Sequence, residues 1–147
     1  MNVIRQHTDY ALRLLVELGL AGEKVSAKRL SRSAKVSYYY TAKILQTLRG
    51  AGIVTSTMGK CGGFSLARPP REVSLATVVG AVQGPVRLNQ CLMPVRPCQL
   101  RDRCPITGAM ARVQKQLDDS LEAVTLADIL EAQQAGVKRK HQNRRGT

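Results

Sequence analysis

The chain has 147 residues, of which 44% are hydrophobic and 22% charged. This composition is typical of one globular domain and excludes collagen-like or wholly disordered chains. Lys and Arg number 23 against 10 Asp and Glu, for a net charge of +13. No apolar run approaches the roughly 20 residues that span a bilayer, and the N-terminus carries no secretory pattern. We therefore expect a cytoplasmic protein, away from membranes, whose four cysteines form no disulfides.

The positive charge is concentrated in one part of the chain. Residues 26–71 contain nine Lys and Arg residues and no acidic residue, and a second basic run follows Glu131. A basic block within a folded region is typical of a surface that binds a polyanion, because each cation next to a phosphate releases a condensed counterion. The same charge would also suit a solvated surface without a partner, so the order of the elements decides between these interpretations.

The first half of the chain predicts three helices. Apolar residues at helical spacing indicate a first helix over residues 3 to about 20. Ser26 is predicted to cap a short second helix, and Ser37 is predicted to cap a third that ends near Gly50. The apolar stripe of this third helix consists of Tyr40, Ile44, Leu45 and Leu48.

A β-hairpin is predicted directly after the third helix. Residues 53–57 and 64–67 have strand patterns, and the basic, glycine-rich residues 58–63 between them form a turn. Two helices joined by a tight connection and followed by a hairpin predict a winged helix-turn-helix, which is a DNA-binding fold. The sequence thus indicates a mainly α protein with a small β-hairpin.

The second half of the chain predicts further helices. Ser74 caps a fourth helix that Gly84 ends, and Pro105 begins a long helix. Its apolar seam consists of Ile106, Met110, Val113, Leu117, Leu121 and Val124. A seam of this length favours pairing with a second copy of the chain, although packing on its own core is the alternative. Thr125 begins a last short helix.

These elements divide the chain into four segments. The predicted segments are a winged helix-turn-helix domain at 1–83, a cysteine-containing loop at 84–104, a dimerisation helix with a terminal helix at 105–135, and a basic disordered tail at 136–147.

The third helix is predicted to enter the major groove of double-stranded DNA. Base-edge and phosphate contacts are expected from residues early in this helix and off its apolar stripe, namely Ser37, Tyr38, Tyr39, Thr41 and Lys43. Arg49 and Lys60 are expected to contact phosphates. A homodimer would present two such helices to a near-palindromic operator.

Three cysteines lie close together in the sequence before the long helix. Cys91, Cys98 and Cys104 have six and five residues between them. Thiolates are soft ligands that suit an iron-sulfur cluster or zinc, and redox-active thiols without a metal are the third interpretation. The neighbouring Arg96, Arg101 and Arg103 would offset the negative charge of a thiolate-bound cluster.

Three thiolates leave one coordination position open. Asp9, His7, Cys61 or a small molecule could fill it. Asp9 has an alternative role in an i,i+4 ion pair with Arg13, and Cys61 is expected as a solitary thiol at the tip of the hairpin. The chain offers no base and nucleophile pair, so we expect a regulator and not an enzyme.

This order of elements, with the Gly62-Gly63 pair in the hairpin and the terminal stretch 125–130, resembles the IscR/NsrR (Rrf-type) winged-helix regulators over nearly the whole chain. The resemblance implies a dimeric bacterial transcription factor. It also implies a [2Fe-2S] or [4Fe-4S] cluster on Cys91, Cys98 and Cys104 that controls promoter binding.

The resemblance is closer to the nitric-oxide-sensing NsrR branch. The iron-sulfur-assembly regulators place a histidine where this chain has Thr107. The stretch from Thr8 to Arg13 matches the NsrR branch, and Lys43 falls where that branch has a lysine. This match implies Asp9 of the partner subunit as fourth ligand, with Arg13 near the cluster. It implies a repressor that senses nitric oxide, while oxygen, iron or sulfide status and a zinc-held or thiol-based switch remain alternatives.

Overall fold

The computed structural model describes residues 3–95 and 98–143. Within them the chain forms six α-helices and one antiparallel hairpin. The helices are α1 (Gln6–Ala21), α2 (Ala27–Ser33), α3 (Tyr38–Gly50), α4 (Leu75–Gln83), α5 (Pro105–Ala123) and α6 (Leu126–Asn143), and the strands are β1 (Val54–Thr57) and β2 (Gly63–Leu66). Two 3₁₀ turns, at Pro70–Glu72 and Gln90–Leu92, join these elements. No helix of the described residues is long and apolar enough to cross a bilayer.

Serine caps begin α2 and α3. The Ser26 hydroxyl accepts a hydrogen bond from the Arg29 N–H, and the Ser37 hydroxyl accepts one from the Tyr40 N–H. Each cap satisfies a backbone donor that has no partner within its own helix. Lys35, with φ of 54°, makes the tight turn between the two helices. The predicted helix-turn-helix is confirmed, with both serines as caps.

The hairpin is attached to the helices through Val25. Val54 pairs with Leu66 and Thr57 with Gly63 across the two strands. The N–H and carbonyl of Val25 form hydrogen bonds of 2.9 and 2.8 Å with the carbonyl and N–H of Phe64. The hairpin is therefore held as a wing beside α2 and α3.

The hydrophobic core lies around α1, which packs on α3, α4 and α6. Its largest members have almost no exposed surface and come from four regions: Leu14 and Leu15 of α1, Leu30 of α2, Leu45 and Leu48 of α3, and Leu126 of α6. Burying each such leucine contributes about 1.5–3 kcal/mol. The core joins the terminal helix to the winged helix-turn-helix in one unit.

The start of α4 is joined to the end of α5. Ser74 caps α4 by accepting from the Thr77 N–H, and its hydroxyl donates to the Glu122 carboxylate at 2.9 Å. The backbone of Leu75 also donates to the Val124 carbonyl. These contacts fix the direction in which α5 leaves the rest of the chain.

The terminal helix is longer than the sequence predicts. A short helix and a disordered tail over 136–147 are expected, but α6 continues to Asn143. The prediction is wrong for residues 136–143, because Lys, Arg and Gln favour helix and a single Gly136 costs only about 1 kcal/mol. Residues 144–147 lie outside the described residues.

Candidate nucleic-acid interface and cysteine segment

The exposed face of α3 carries most of the predicted DNA contacts. Tyr38 and Tyr39 are 60% and 70% exposed, and Ser37 and Lys43 are also exposed. The opposite face of the helix is buried in the core. The structure therefore brings these four residues together on one surface.

Thr41 does not belong to this surface. Its side chain is fully buried, and within the described residues its hydroxyl has no hydrogen-bond partner. The predicted DNA contact is wrong, because Thr41 lies three and four positions before Ile44 and Leu45 and so shares their inward face. Threonine is close in shape to valine and fills a place in the core.

Tyr40 also differs from the sequence prediction. It is predicted in the apolar stripe but is 40% exposed. Its ring lies 5.2 Å from the His7 ring and 6.2 Å from the Tyr10 ring, measured between centroids. Tyr40 therefore links the first turn of α3 to the first turns of α1.

Gln46 is an exposed residue of this face that the sequence reasoning missed. It lies three positions after Lys43 and seven after Tyr39, so all three project from the same side of α3. A glutamine carboxamide can form two hydrogen bonds with adenine in the major groove. The helical spacing from Lys43 was the signal that could have found it.

Arginine side chains hold the wing against the end of α3. Arg49 donates to the Ser56 hydroxyl of β1 at 3.1 Å, and Arg68 donates to the carbonyls of Ala51 and Gly52. Arg49 thus has a partner in the wing as well as an exposed position.

The wing tip is exposed and basic. Lys60 and Cys61 both lie on it and are exposed. A Cβ added to Gly62 would overlap the Thr57 carbonyl oxygen, so the tip requires glycine at this position. The Lys60 side chain is therefore accessible from solvent at the wing tip.

The three clustered cysteines lie between α4 and the start of α5. Cys91 is in the second 3₁₀ turn and is 7% exposed, Cys98 is half-buried, and Cys104 directly precedes α5. All four thiols, including Cys61 on the wing, are free. Arg101 and Arg103 are exposed beside them, and Arg96 lies outside the described residues.

The three cysteines provide the type of ligand atom that an iron-sulfur cluster requires. Three free thiols on one short segment, one buried and two half-buried, are the ligand type that such clusters use. Within residues 3–95 and 98–143, however, no three His, Cys, Asp or Glu side chains are close enough to share a metal ion. The ligand set is therefore defined by residue type and not by a preformed geometry.

Asp9 forms an ion pair on α1. Its carboxylate lies 2.8 Å from the Arg13 guanidinium, and both side chains are about half exposed. The Arg13 guanidinium in turn lies 5.8 Å from the centre of the Tyr10 ring. Through Tyr10 and Tyr40, these contacts reach from Asp9 to α3.

The start of α1 is fixed to the end of α4 by Gln83. Its carbonyl oxygen accepts from the Arg5 N–H and the Thr8 hydroxyl, each at 2.8 Å, and its amide nitrogen donates to the Val3 carbonyl at 3.0 Å. Asp9, the next residue after the buried Thr8, is therefore positioned relative to the segment that leads to the cysteines.

A helix-turn-helix with an exposed basic face, followed by a wing, defines a winged-helix DNA-binding regulator. The profile of the Rrf2 family, described as iron-dependent transcriptional regulator, matches residues 4–132, and the chain belongs to this family. The predicted fold class and the family resemblance are confirmed.

Individual relatives agree with this assignment. The chain is 30% identical over 146 residues to the transcriptional regulator NsrR of Geobacillus kaustophilus, covering 97% of this chain and 99% of that one. It is 32% identical over 140 residues to an rrf2-like regulator of Rhodobacter capsulatus, covering 88% and 93%. Among solved structures, CymR, the global cysteine regulator of B. subtilis, superposes with a TM-score of 0.71 at 22% identity, covering 90% of this chain and 98% of that one. The match to NsrR of Geobacillus kaustophilus supports the resemblance to the NsrR branch.

Proposed function

We propose that the protein is a homodimeric repressor whose binding to a near-palindromic operator is controlled by an iron-sulfur cluster that senses nitric oxide, redox or iron-sulfur status. The observation that carries this proposal is the presence, in one compact unit, of an exposed basic helix, α3, and three free thiols before α5, one buried and two half-buried. The first feature suits DNA, and the second suits a cluster.

The exposed face of α3 is the part that reads the operator. Tyr39, Lys43 and Gln46 would lie in the major groove, while Arg49 and Lys60 would neutralise phosphates on either side. Two copies of α3 in a dimer would occupy successive major grooves about 34–36 Å apart.

The apolar face of α5 supports the dimer. Ile106 is 56% exposed and Val113 47% in the single chain, and Val124, which directly follows the helix, is 38% exposed. Pairing two α5 helices would remove these side chains from water at about 25 cal/mol per Å² of apolar surface. Val113→Glu is expected to give monomers in sedimentation equilibrium. Ala111→Glu, at an exposed position on the other side of the same helix, is expected to leave the dimer intact. A dimeric Val113→Glu protein would contradict this interface.

Cys91, Cys98 and Cys104 would hold the cluster, with Asp9 of the partner subunit as the fourth ligand. When bound, an iron-sulfur cluster supplies a centre that exchanges electrons and reacts with nitric oxide. Asp9 must leave its ion pair with Arg13 to act as a ligand. That exposed pair is worth less than about 1 kcal/mol, so the exchange costs little.

Arg13 and the tyrosines would transmit this exchange to the operator. Arg13 lies over Tyr10, which neighbours Tyr40 at the start of α3. A change in the partner of Asp9 would therefore alter the contacts that orient the recognition helix. Couplings of this kind are commonly about 1–3 kcal/mol, or roughly 5- to 150-fold in affinity.

The test is an absorption spectrum, with iron and sulfide content, of protein purified without oxygen. We expect a coloured protein with matched iron and sulfide, and loss of operator binding with loss of the spectrum when nitric oxide is added. Cys98→Ser should abolish the colour, and Cys61→Ser should retain it. Asp9→Ala should change the spectrum; an unchanged spectrum and response would exclude the cross-subunit ligand.

A thiol-based or zinc-held switch is the second candidate. Cys98 and Cys104 are only half-buried, which allows an oxidant to reach them. This function predicts a colourless protein that releases the operator on oxidation and binds it again after treatment with dithiothreitol. Zinc content separates the zinc-held form from bare thiols.

A further inference from the structure

One polar residue is buried in a helix that is otherwise largely exposed. In α5, which the structure describes in full, Gln114 alone is buried, at 7% exposure. Its carbonyl oxygen accepts from the Leu88 N–H at 2.9 Å, and its amide nitrogen donates to the Val86 carbonyl at 3.0 Å. Gln114 therefore binds both a donor and an acceptor of one short backbone segment.

The chemistry of this contact requires a carboxamide. Glutamine offers one acceptor and two donors on the same planar group, so it can pair with residues 86–88 as a neighbouring strand would. Its second donor reaches the Asp118 carboxylate at 2.9 Å, and Asp118 lies 3.8 Å from the Arg87 guanidinium. A glutamate would keep the acceptor but lose both donors.

The contact joins the two ends of the cysteine segment. Leu88 lies three residues before Cys91, and Gln114 lies ten residues after Cys104 on the helix that Cys104 precedes. The 3₁₀ turn that carries Cys91 also packs on α5. Movement of residues 86–88 away from α5 would therefore move Cys91 relative to Cys104.

We propose that Gln114 is a positioning residue for the cysteine ligands, which holds Cys91 in place relative to α5 and Cys104. This proposal rests on the proposed function, because positioned ligands serve a purpose only if a cluster binds. The placement of Cys91, however, is measurable without any metal.

The first test uses the full-length, metal-free, reduced protein. Iodoacetamide labelling followed by mass spectrometry gives the reaction rate of each cysteine. In Gln114→Met, which keeps the volume and removes the hydrogen bonds, we expect Cys91 to react about tenfold faster, because its protection depends on the closed segment. The Leu88 amide should lose hydrogen-exchange protection to a similar extent. Gln116→Met, on the exposed side of the same helix, should change neither rate.

The second test measures the cluster itself. Gln114→Met reconstituted without oxygen should show a shifted spectrum and a faster loss of colour in air than the wild-type protein. Gln114→Asn, which keeps the carboxamide on a side chain one methylene shorter, should lie between the two and serves as the measured variant if Gln114→Met does not fold. Tm is measured for each variant, and a shifted spectrum at an unchanged Tm distinguishes a positioning role from a loss of fold stability.

The outcomes separate this proposal from the proposed function. If the wild-type protein takes up no iron, the cluster proposal fails, while the labelling rates still decide the role of Gln114. Equal Cys91 rates in Gln114→Met and wild type would overturn the positioning role. An equal increase at Cys91, Cys98 and Cys104, with a matching fall in Tm, would also overturn it, because that result indicates general loosening.

Discussion

Replacing Lys43 by alanine should weaken operator binding and reduce its salt dependence. Lys43 projects from the exposed face of α3. The Thr47 hydroxyl donates a hydrogen bond to the backbone carbonyl of Lys43, which an alanine at this position would keep. The substitution therefore removes a cation without removing any packing or hydrogen bond of the fold.

The magnitude follows from counterion release. Each lost phosphate contact reduces the slope of log K against log salt by about 0.9. The proposed dimer carries two copies of Lys43, so the slope should fall by about 1.8. At 0.1 M salt this corresponds to about a 60-fold loss of affinity, or about 2.5 kcal/mol, as an upper estimate.

The assay is fluorescence anisotropy with an operator duplex at several salt concentrations. Lys115→Ala is the matched control: it removes the same charge from α5, where Lys115 pairs with Asp119 at 2.6 Å. The control should leave the slope unchanged within error. An unchanged slope for Lys43→Ala, with intact fold and dimer, would remove Lys43 from the phosphate contacts and refute the assignment of this face.

Three further predictions concern stability. In Gly63→Ala the new Cβ would lie 2.8 Å from the Val25 carbonyl oxygen, so we expect a loss of about 1–3 kcal/mol in urea unfolding through separation of the wing from Val25; unaltered stability would contradict this packing. Gln83→Leu leaves the buried Thr8 hydroxyl without its acceptor and should cost about 1–3 kcal/mol, part of which a second substitution, Thr8→Val, should restore. Hydrogen bonds from Thr125 lower the pKa of Asp128, so its carboxylate stabilises the folded state at neutral pH, and this contribution is lost as the pH falls through the lowered pKa. Asp128→Asn should therefore flatten the acidic limb of stability against pH, and parallel curves for the two proteins would exclude this contribution.

Features that depend on neighbouring residues were predictable from the sequence. The serine caps at Ser26, Ser37 and Ser74 bond to residues three positions ahead, and the apolar stripe of α3 repeats every three to four residues. Local hydrogen bonds and helical periodicity are properties of a short window, so composition and spacing suffice. The same holds for the grouping of the three cysteines, which needs no tertiary information.

Features that depend on distant segments were decided by the tertiary structure. Gln114 is ordinary in a helical sequence, but it is buried because a backbone segment 26 to 28 residues earlier packs against it. Gln83 likewise finds its partners 75 to 80 residues away, at the start of α1. Tyr40 is drawn out of the apolar stripe toward His7 and Tyr10 on another helix. No local pattern encodes such contacts, because the partner of a polar or aromatic side chain exists only once the helices have packed. The sequence alone thus determined the helix caps, the winged helix-turn-helix and the grouping of the three cysteines. Packing between distant helices decided which residues of α3 are exposed and which contacts hold the cysteine segment in place.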